Sequence, residues 1–298
     1  MVKRLIIDRP ALFAAVRKDD SGVFNRRLAQ SQVEGVEAIM DSADRNGVFD
    51  INHIAQILAH VYHETGTYML GIKETVMPSH TNKRPADSTV IQRLDKAFAA
   101  GQLPWVKTPY WRDGGFGRGP IQITHWSNYL KMGTALGVPL REHPELALDT
   151  KVGADIAVVG MAHGLFTGKK LSDYKFPAAL DAAPDQHPRR IVNGKDGTDM
   201  KISGYHRGFH KALTAAGFRV VETSEITADD IQVEKITANT ITTGPAVPSI
   251  VLVNKIPATP SVITDELVGT TAISLAPTTS IWAWLASLAL KLTGVRNV

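Results

Sequence analysis

Residues 50–66, DINHIAQILAHVYHETG, constrain this chain more than any other stretch. Ile54, Ile57, Leu58 and Val61 recur at the spacing of one helical face, and Asp50 or Asn52 stands where an N-cap oxygen is needed. The stripe closes on a carboxylate, Glu64, between His63 and a Thr65-Gly66 break. A buried helix gains nothing from an unpaired carboxylate, because taking charge out of water is costly. Glu64 is therefore either a solvated residue at a fraying end or an acid kept in a cleft for use.

Similar helical patterns fill residues 1–220. Pro10 fits a first helical position ahead of ALFAAVR. Ser31-Gln-Val-Glu34 reads as a capping box, with Val33, Val36, Ile39 and Met40 behind it. Further helices are predicted near 90–100, 126–136, 150–165 and 204–216, joined by Gly/Pro-rich loops, and long strand-like runs are absent. The body is predicted to be mainly α-helical. From about Val221 the composition turns to Thr, Val, Ile, Pro and Ala, which marks 221–280 as a linker or assembly segment. Within it ITADDI (226–231) returns as ITANTI (236–241), either by chance or as a short β-rich assembly coil. Residues 281–298 open with IWAWLASLAL, too short to span a bilayer, which needs about 20 apolar residues. It reads as a packed terminal helix or self-association contact, or as a membrane-associating one.

Charge is divided unevenly. Residues 221–298 hold four Lys/Arg and seven Asp/Glu, which leaves 29 basic and 22 acidic residues in the first 220, together with all ten histidines. A basic body suits a polyanionic partner such as a cell wall, a membrane surface or nucleic acid. No basic-aromatic stripe favours nucleic acid, which is not expected as a partner. There is no cysteine, which excludes disulfides, thiolate metal sites and cysteine nucleophiles. MVKRLIIDRP carries only three apolar residues between the Lys3-Arg4 pair and Asp8, too few for a signal peptide, so synthesis in the cytoplasm without one is expected.

Three segments could carry chemistry: His63-Glu64-Thr65-Gly66 with Glu74 ten residues on, GGFGRGPIQITHWSNY (114–129), and RRIVNGKDG (189–197). His60 and His63 are three apart rather than four, and no metal site is expected from them. GFGRGP lacks the preceding strand and the following Lys-Ser/Thr of a phosphate cradle, and no cofactor is expected. In Ile121-Gln122-Ile123-Thr124, an extended piece would turn both isoleucines one way and an amide and a hydroxyl the other. Those two groups suit sugar hydroxyls, N-acetyl groups or a water; a polar edge strand facing solvent fits equally. Two carboxylates flanking such a surface are what glycoside hydrolysis requires, one protonated and one ionised. Glu64, ending an apolar helix, is the expected acid because burial raises a carboxyl pKa, while Glu74 beside Lys73 is expected to stay ionised.

At these residues the chain resembles the family 19 chitinases and, more closely, the related bacteriophage endolysins. The plant enzymes carry a similar His-Glu-Thr, a Gly-Arg-Gly-Pro-Ile-Gln-Leu-Ser-His segment and an Ile-Asn-Gly segment. The endolysin branch adds patterns matched here by Ala14–Arg17, Ser31–Val33 and GLFTGKKLSDY at 164–174; HPELALD belongs to the same set. The resemblance spans roughly residues 10–218. It implies a two-lobed lysozyme-like helical domain with a cleft between the lobes. It also implies Glu64 as catalytic acid, Gln122, Thr124 and Asn128 at substrate- and water-binding positions, and Asn193 as a binding asparagine. His63 and Tyr129 complete the expected substrate-binding set. The second glutamate of the plant enzymes lies about twenty residues beyond the acid, whereas Glu74 lies ten away, so Asp87 and Asp113 stand as alternatives.

The expectation is a peptidoglycan-degrading endolysin acting on glycan strands at the periplasmic wall of a Gram-negative host, inverting by analogy. A chitinase and a catalytically inactive wall-binding or virion-assembly protein are the alternatives.

Overall fold

The computed structural model describes residues 2–24 and 26–222. The repeat at 226–241, the linker or assembly segment assigned to 221–280 from residue 223 onward, and the segment 281–298 lie outside the described residues. The body is mainly α-helical, as expected. Among the described residues it contains α1 (Arg9–Val16), α2 (Gln30–Arg45), α3 (Ile51–Glu64), α4 (Asp87–Ala99), α5 (Trp126–Leu136), α6 (Thr150–His163) and α7 (Asp199–Ala215). Two small antiparallel sheets complete it. β1 (Lys3–Ile6) pairs with β4 (Arg219–Glu222), Lys3 opposite Glu222 and Ile6 opposite Arg219, and so ties the two ends of the body together. β2 (Ile72–Lys73) pairs with β3 (Arg118–Gly119).

Local chemistry accounts for the helix bounds. Asp50, not Asn52, caps α3, its Oδ1 accepting from Asn52 N at 2.7 Å and His53 N at 3.3 Å. Thr65 closes the same helix by donating to Val61 O at 2.7 Å and accepting from Met69 N at 2.8 Å. Asp149 caps α6 through Val152 N at 2.9 Å. The capping box expected at Ser31 is displaced. Helix α2 begins at Gln30, and the Gln32 side chain reaches back to Ala29 N at 2.9 Å. Helix α7 starts at Asp199 rather than near 204, because its first turn packs on the 187–198 loop instead of presenting an apolar stripe.

The main core lies among α1, α2, α3, α6 and α7. Ile54, Ile57, Leu58 and Val61 are fully buried in it, each contributing about 1.5–3 kcal/mol of transfer free energy. Tyr62 from α3 meets Phe24, Tyr205 and Phe209 edge-on at 5.1, 4.7 and 5.8 Å, and its hydroxyl donates to Val23 O. A second core joins α4 to the segment after it through Val90, Leu94, Leu103, Trp111 and Phe116. A third packs α5 on α6 and on the 3-10 turn Pro144–Leu148. HPELALD therefore supplies a floor: Gly119, at φ +93°, would place a Cβ 3.0 Å from Ala147 O.

Leu58→Ala should cost about 2–5 kcal/mol in urea unfolding, whereas Leu130→Ala, at a side chain 51% exposed, should stay within about 0.5 kcal/mol of the parent.

Candidate active site

Glu64 ends α3 only 1% exposed, but it is not alone. Arg189, with no exposed surface, donates from Nη1 to Glu64 Oε1 at 2.6 Å. The same guanidinium donates from Nε at 3.0 Å and Nη2 at 2.6 Å to Asp196 Oδ2. Asp196 also accepts from Asn193 Nδ2 at 3.1 Å and, at Oδ1, from Thr198 N at 3.0 Å and Oγ1 at 2.6 Å. Burial pushes the Asp196 carboxyl up, but Arg189 and Thr198 outweigh it and hold the pKa down at about 2. The RRIVNGKDG segment thus delivers a cation and a second carboxylate to the end of α3. The GLFTGKKLSDY segment pins it, with Thr167 Oγ1 donating to Arg190 O at 2.5 Å.

Behind Arg189 runs a buried polar chain. Arg189 Nη1 lies 3.2 Å from His60 Nδ1, His60 Nε2 lies 3.0 Å from the Gln56 amide, and that amide meets His206 Nδ1 at 2.8 Å. Burial and the Arg189 charge drive the His60 pKa well down, so His60 is a neutral link in the packing. His63 is half-buried against Tyr205 at 6.4 Å, and burial lowers its pKa against the pull of Glu64.

Glu74 occupies a different setting. Its carboxyl is 4% exposed, Oε2 accepting from Gly117 N at 2.7 Å and Oε1 from the Tyr110 hydroxyl at 2.8 Å. Lys73 turns away, to Pro85 O at 2.7 Å and Asp87 at 2.5 Å. The expectation that Glu74 stays readily ionised beside Lys73 is corrected: burial raises its pKa, opposed by Gly117, Tyr110 and Arg118. Gly117 is the meeting point of this cluster. A Cβ there would lie 3.0 Å from Gln122 Oε1 and 3.3 Å from Thr124 Oγ1. Gln122 Oε1 is buried without a partner, while its Nε2 donates to Ile72 O at 2.9 Å and Gly119 O at 2.7 Å.

The residues 121–124 are not the extended piece expected. Arg118 and Ile123 exchange backbone hydrogen bonds at 3.1 and 2.9 Å, closing a tight turn with Gln122 at φ +55°. Both isoleucines are nevertheless buried, and Gln122 and Thr124 lie on the more open side. Asn128 Nδ2 donates to Thr124 O at 2.8 Å in the first turn of α5.

Two expected substrate contacts lie underneath rather than on the surface. Tyr129 is fully buried, donating to Phe116 O at 2.8 Å and accepting from Arg118 at 3.2 Å, so it supports the loop from within. Asn193 is 2% exposed, with its amide on Asp196 and its oxygen accepting from Gly194 N at 2.8 Å. Of the alternative carboxylates, Asp87 is clamped between Lys73 and Arg118 Nη2, the latter at 2.9 Å. Burial pushes Asp87 up, but these two cations hold its pKa below the ordinary value. Asp113 is exposed and accepts from Gly115 N at 3.0 Å. Among the described residues no three His, Asp or Glu gather as a metal site would require.

Sequence reasoning passed over Arg189, Asp196, Tyr110 and Gly117. The first two sit in a segment it singled out, but opposite charges seven apart in a loop carry no signal of burial.

No family model matches the chain, and no curated protein matches it. Among solved structures, a variant of a chitinase C is similar over 70% of this chain and 92% of its own, at 16% identity and a TM-score of 0.43.

Asp196 and Glu74 should shift stability with pH in opposite directions. The Asp196 contribution is present above the unfolded aspartate pKa of about 4 and is lost as pH falls toward about 2. The stability deficit of Asp196→Asn should therefore close on acidification. Glu74, with a raised folded pKa, weakens the fold as pH rises through that value, so Glu74→Gln should gain on wild type in the same interval. Urea midpoints measured between pH 3 and pH 8 check both signs.

Proposed function

We propose that this chain is a glycoside hydrolase that cuts peptidoglycan glycan strands with Glu64 and Glu74, in the manner of a lysozyme-like endolysin releasing phage from its host. The observation that carries the reading is the convergence on Gly117 of a buried carboxyl, an unpartnered amide oxygen and a hydroxyl, from Glu74, Gln122 and Thr124. A carboxyl, an amide and a hydroxyl within reach of one point are suited to hold a water or an N-acetyl sugar. Glu64, His63 and Asn128 supply the rest of the expected site.

The two carboxyls stand in unlike surroundings, the condition for dividing acid from base work. Burial raises the Glu74 pKa, whereas Glu64 is ion-paired with the Arg189 guanidinium at 2.6 Å. These surroundings favour Glu74 as the group that protonates the leaving oxygen and Glu64 as the carboxylate that activates water or stabilises positive charge. That is the reverse of the division the resemblance implies.

The basic body suits an anionic wall. Its proposed place of action is the periplasmic wall of a Gram-negative host.

Glu64→Gln and Glu74→Gln should each cut turnover of purified peptidoglycan by about 100- to 10,000-fold with the fold retained. Only Glu74→Gln should abolish the alkaline limb of the residual activity. The new reducing end, identified by mass spectrometry, names the bond. Near-normal activity in both variants would overturn the proposal, and cleavage of colloidal chitin alone would assign the chitinase reading.

A further inference from the structure

Glu74 is held by two partners of different chemical character. The Gly117 N–H at Oε2 is a fixed backbone donor, and it is locked further because Glu74 N returns a hydrogen bond to Gly117 O at 2.8 Å. Oε2 therefore remains an acceptor whether or not the carboxyl is protonated. The Tyr110 hydroxyl at Oε1 is a rotor, able to donate or to accept. Of these two contacts, it alone can reverse when the carboxyl changes state.

Tyr110 is placed for this by its surroundings. Its ring meets Trp111 edge-on at 5.0 Å and His125 at 4.5 Å. Trp111 is fully buried in the second core and anchored through Nε1 to Asp95 Oδ1 at 3.0 Å. The phenol itself does not ionise in the working range, because burial and the neighbouring Glu74 both push its pKa far up.

We propose that Tyr110 is a positioning residue for Glu74: its hydroxyl fixes the plane of the carboxyl and is the partner that reverses its hydrogen bond when Glu74 gains or loses a proton. The inference rests on the reading of Glu74 as one of the two reacting carboxyls. The carboxylate form accepts from Tyr110 at Oε1. On protonation the proton goes to Oε1, and the Tyr110 oxygen turns to accept it, so no buried group is left unpaired in either state. The other groups that act on Glu74 are Arg118, which favours the carboxylate, and Tyr129, a neutral hydroxyl committed to Phe116 and Arg118. Lys73, on the adjacent strand, is committed to Asp87 and Pro85.

The test is a direct titration of Glu74 by carbon NMR of carboxyl-labelled glutamate in the full chain, assigned with Glu74→Gln, beside the pH profile of peptidoglycan hydrolysis. In Tyr110→Phe, which keeps the ring and its packing, both forms of Glu74 lose a hydrogen bond, and because the bond to the charged form is the stronger, the Glu74 midpoint should rise by about one pH unit. The alkaline limb of activity should move with it. A ring-fluorinated tyrosine at position 110, a stronger donor, should lower the midpoint, and it serves equally if the phenylalanine variant does not fold. An unchanged Glu74 midpoint in both proteins overturns the proposal. A midpoint that moves while the pH profile stays fixed upholds Tyr110 as the partner of Glu74 and removes Glu74 from the chemistry.

Discussion

Arg189 carries a full charge with none of its surface in water, at a desolvation cost of several kcal/mol before any partner is counted. It stays there because two carboxylates meet it from different parts of the chain, Glu64 from the end of α3 and Asp196 from the loop before α7. The planar fork of the guanidinium suits this double contact in a way that an ammonium would not. Helices α3 and α7 also pack on each other in the main core, through Tyr62, Tyr205 and Phe209. The same two elements thus bury the apolar mass and orient the charged cluster, and the position of Glu64 depends on both.

The second carboxyl is positioned by packing of another kind. Glu74 follows a two-residue strand whose partner, β3, rests on the 3-10 turn Pro144–Leu148 through close approaches at glycine. The buried Arg118 stacks 3.7 Å above Phe116 and ties the exposed Asp87 to Gly114 and Tyr129 beneath the loop. With the loop stiffened from below, Glu74, Gln122 and Thr124 face a common point at Gly117. Glu64 is therefore held chiefly by charge, and Glu74 chiefly by neutral hydrogen bonds in an apolar setting. That contrast places the two carboxyls in unlike surroundings.

The helices were legible because their signals are local. The stripe Ile54, Ile57, Leu58, Val61 behind Asp50 or Asn52, and the Pro10 start of α1, are read within a few residues of themselves. Errors arose where one local contact outranked another. Ser31 looked like a cap, but Gln32 reached Ala29 first. Gln122 alternated with isoleucines like a strand residue, but an Arg118–Ile123 bridge folded the stretch into a turn. Tyr129 and Asn193, expected to bind substrate, are buried and hydrogen-bonded to their neighbours, Tyr129 to Phe116 and Arg118 and Asn193 to Asp196 and Gly194.

What the sequence by itself determined is the mainly helical body and the set of segments that carry polar groups to the site, because periodicity, capping and Gly/Pro punctuation act over one or two turns. What only the tertiary structure decided is the company each carboxyl keeps. Glu64 is separated from Arg189 by 125 residues and Glu74 from Tyr110 by 36. No local pattern reports such a pairing, yet proton affinity is set by groups within a few ångströms in space. The chemistry of an ionisable side chain is a property of its neighbours, and those neighbours are chosen by folding.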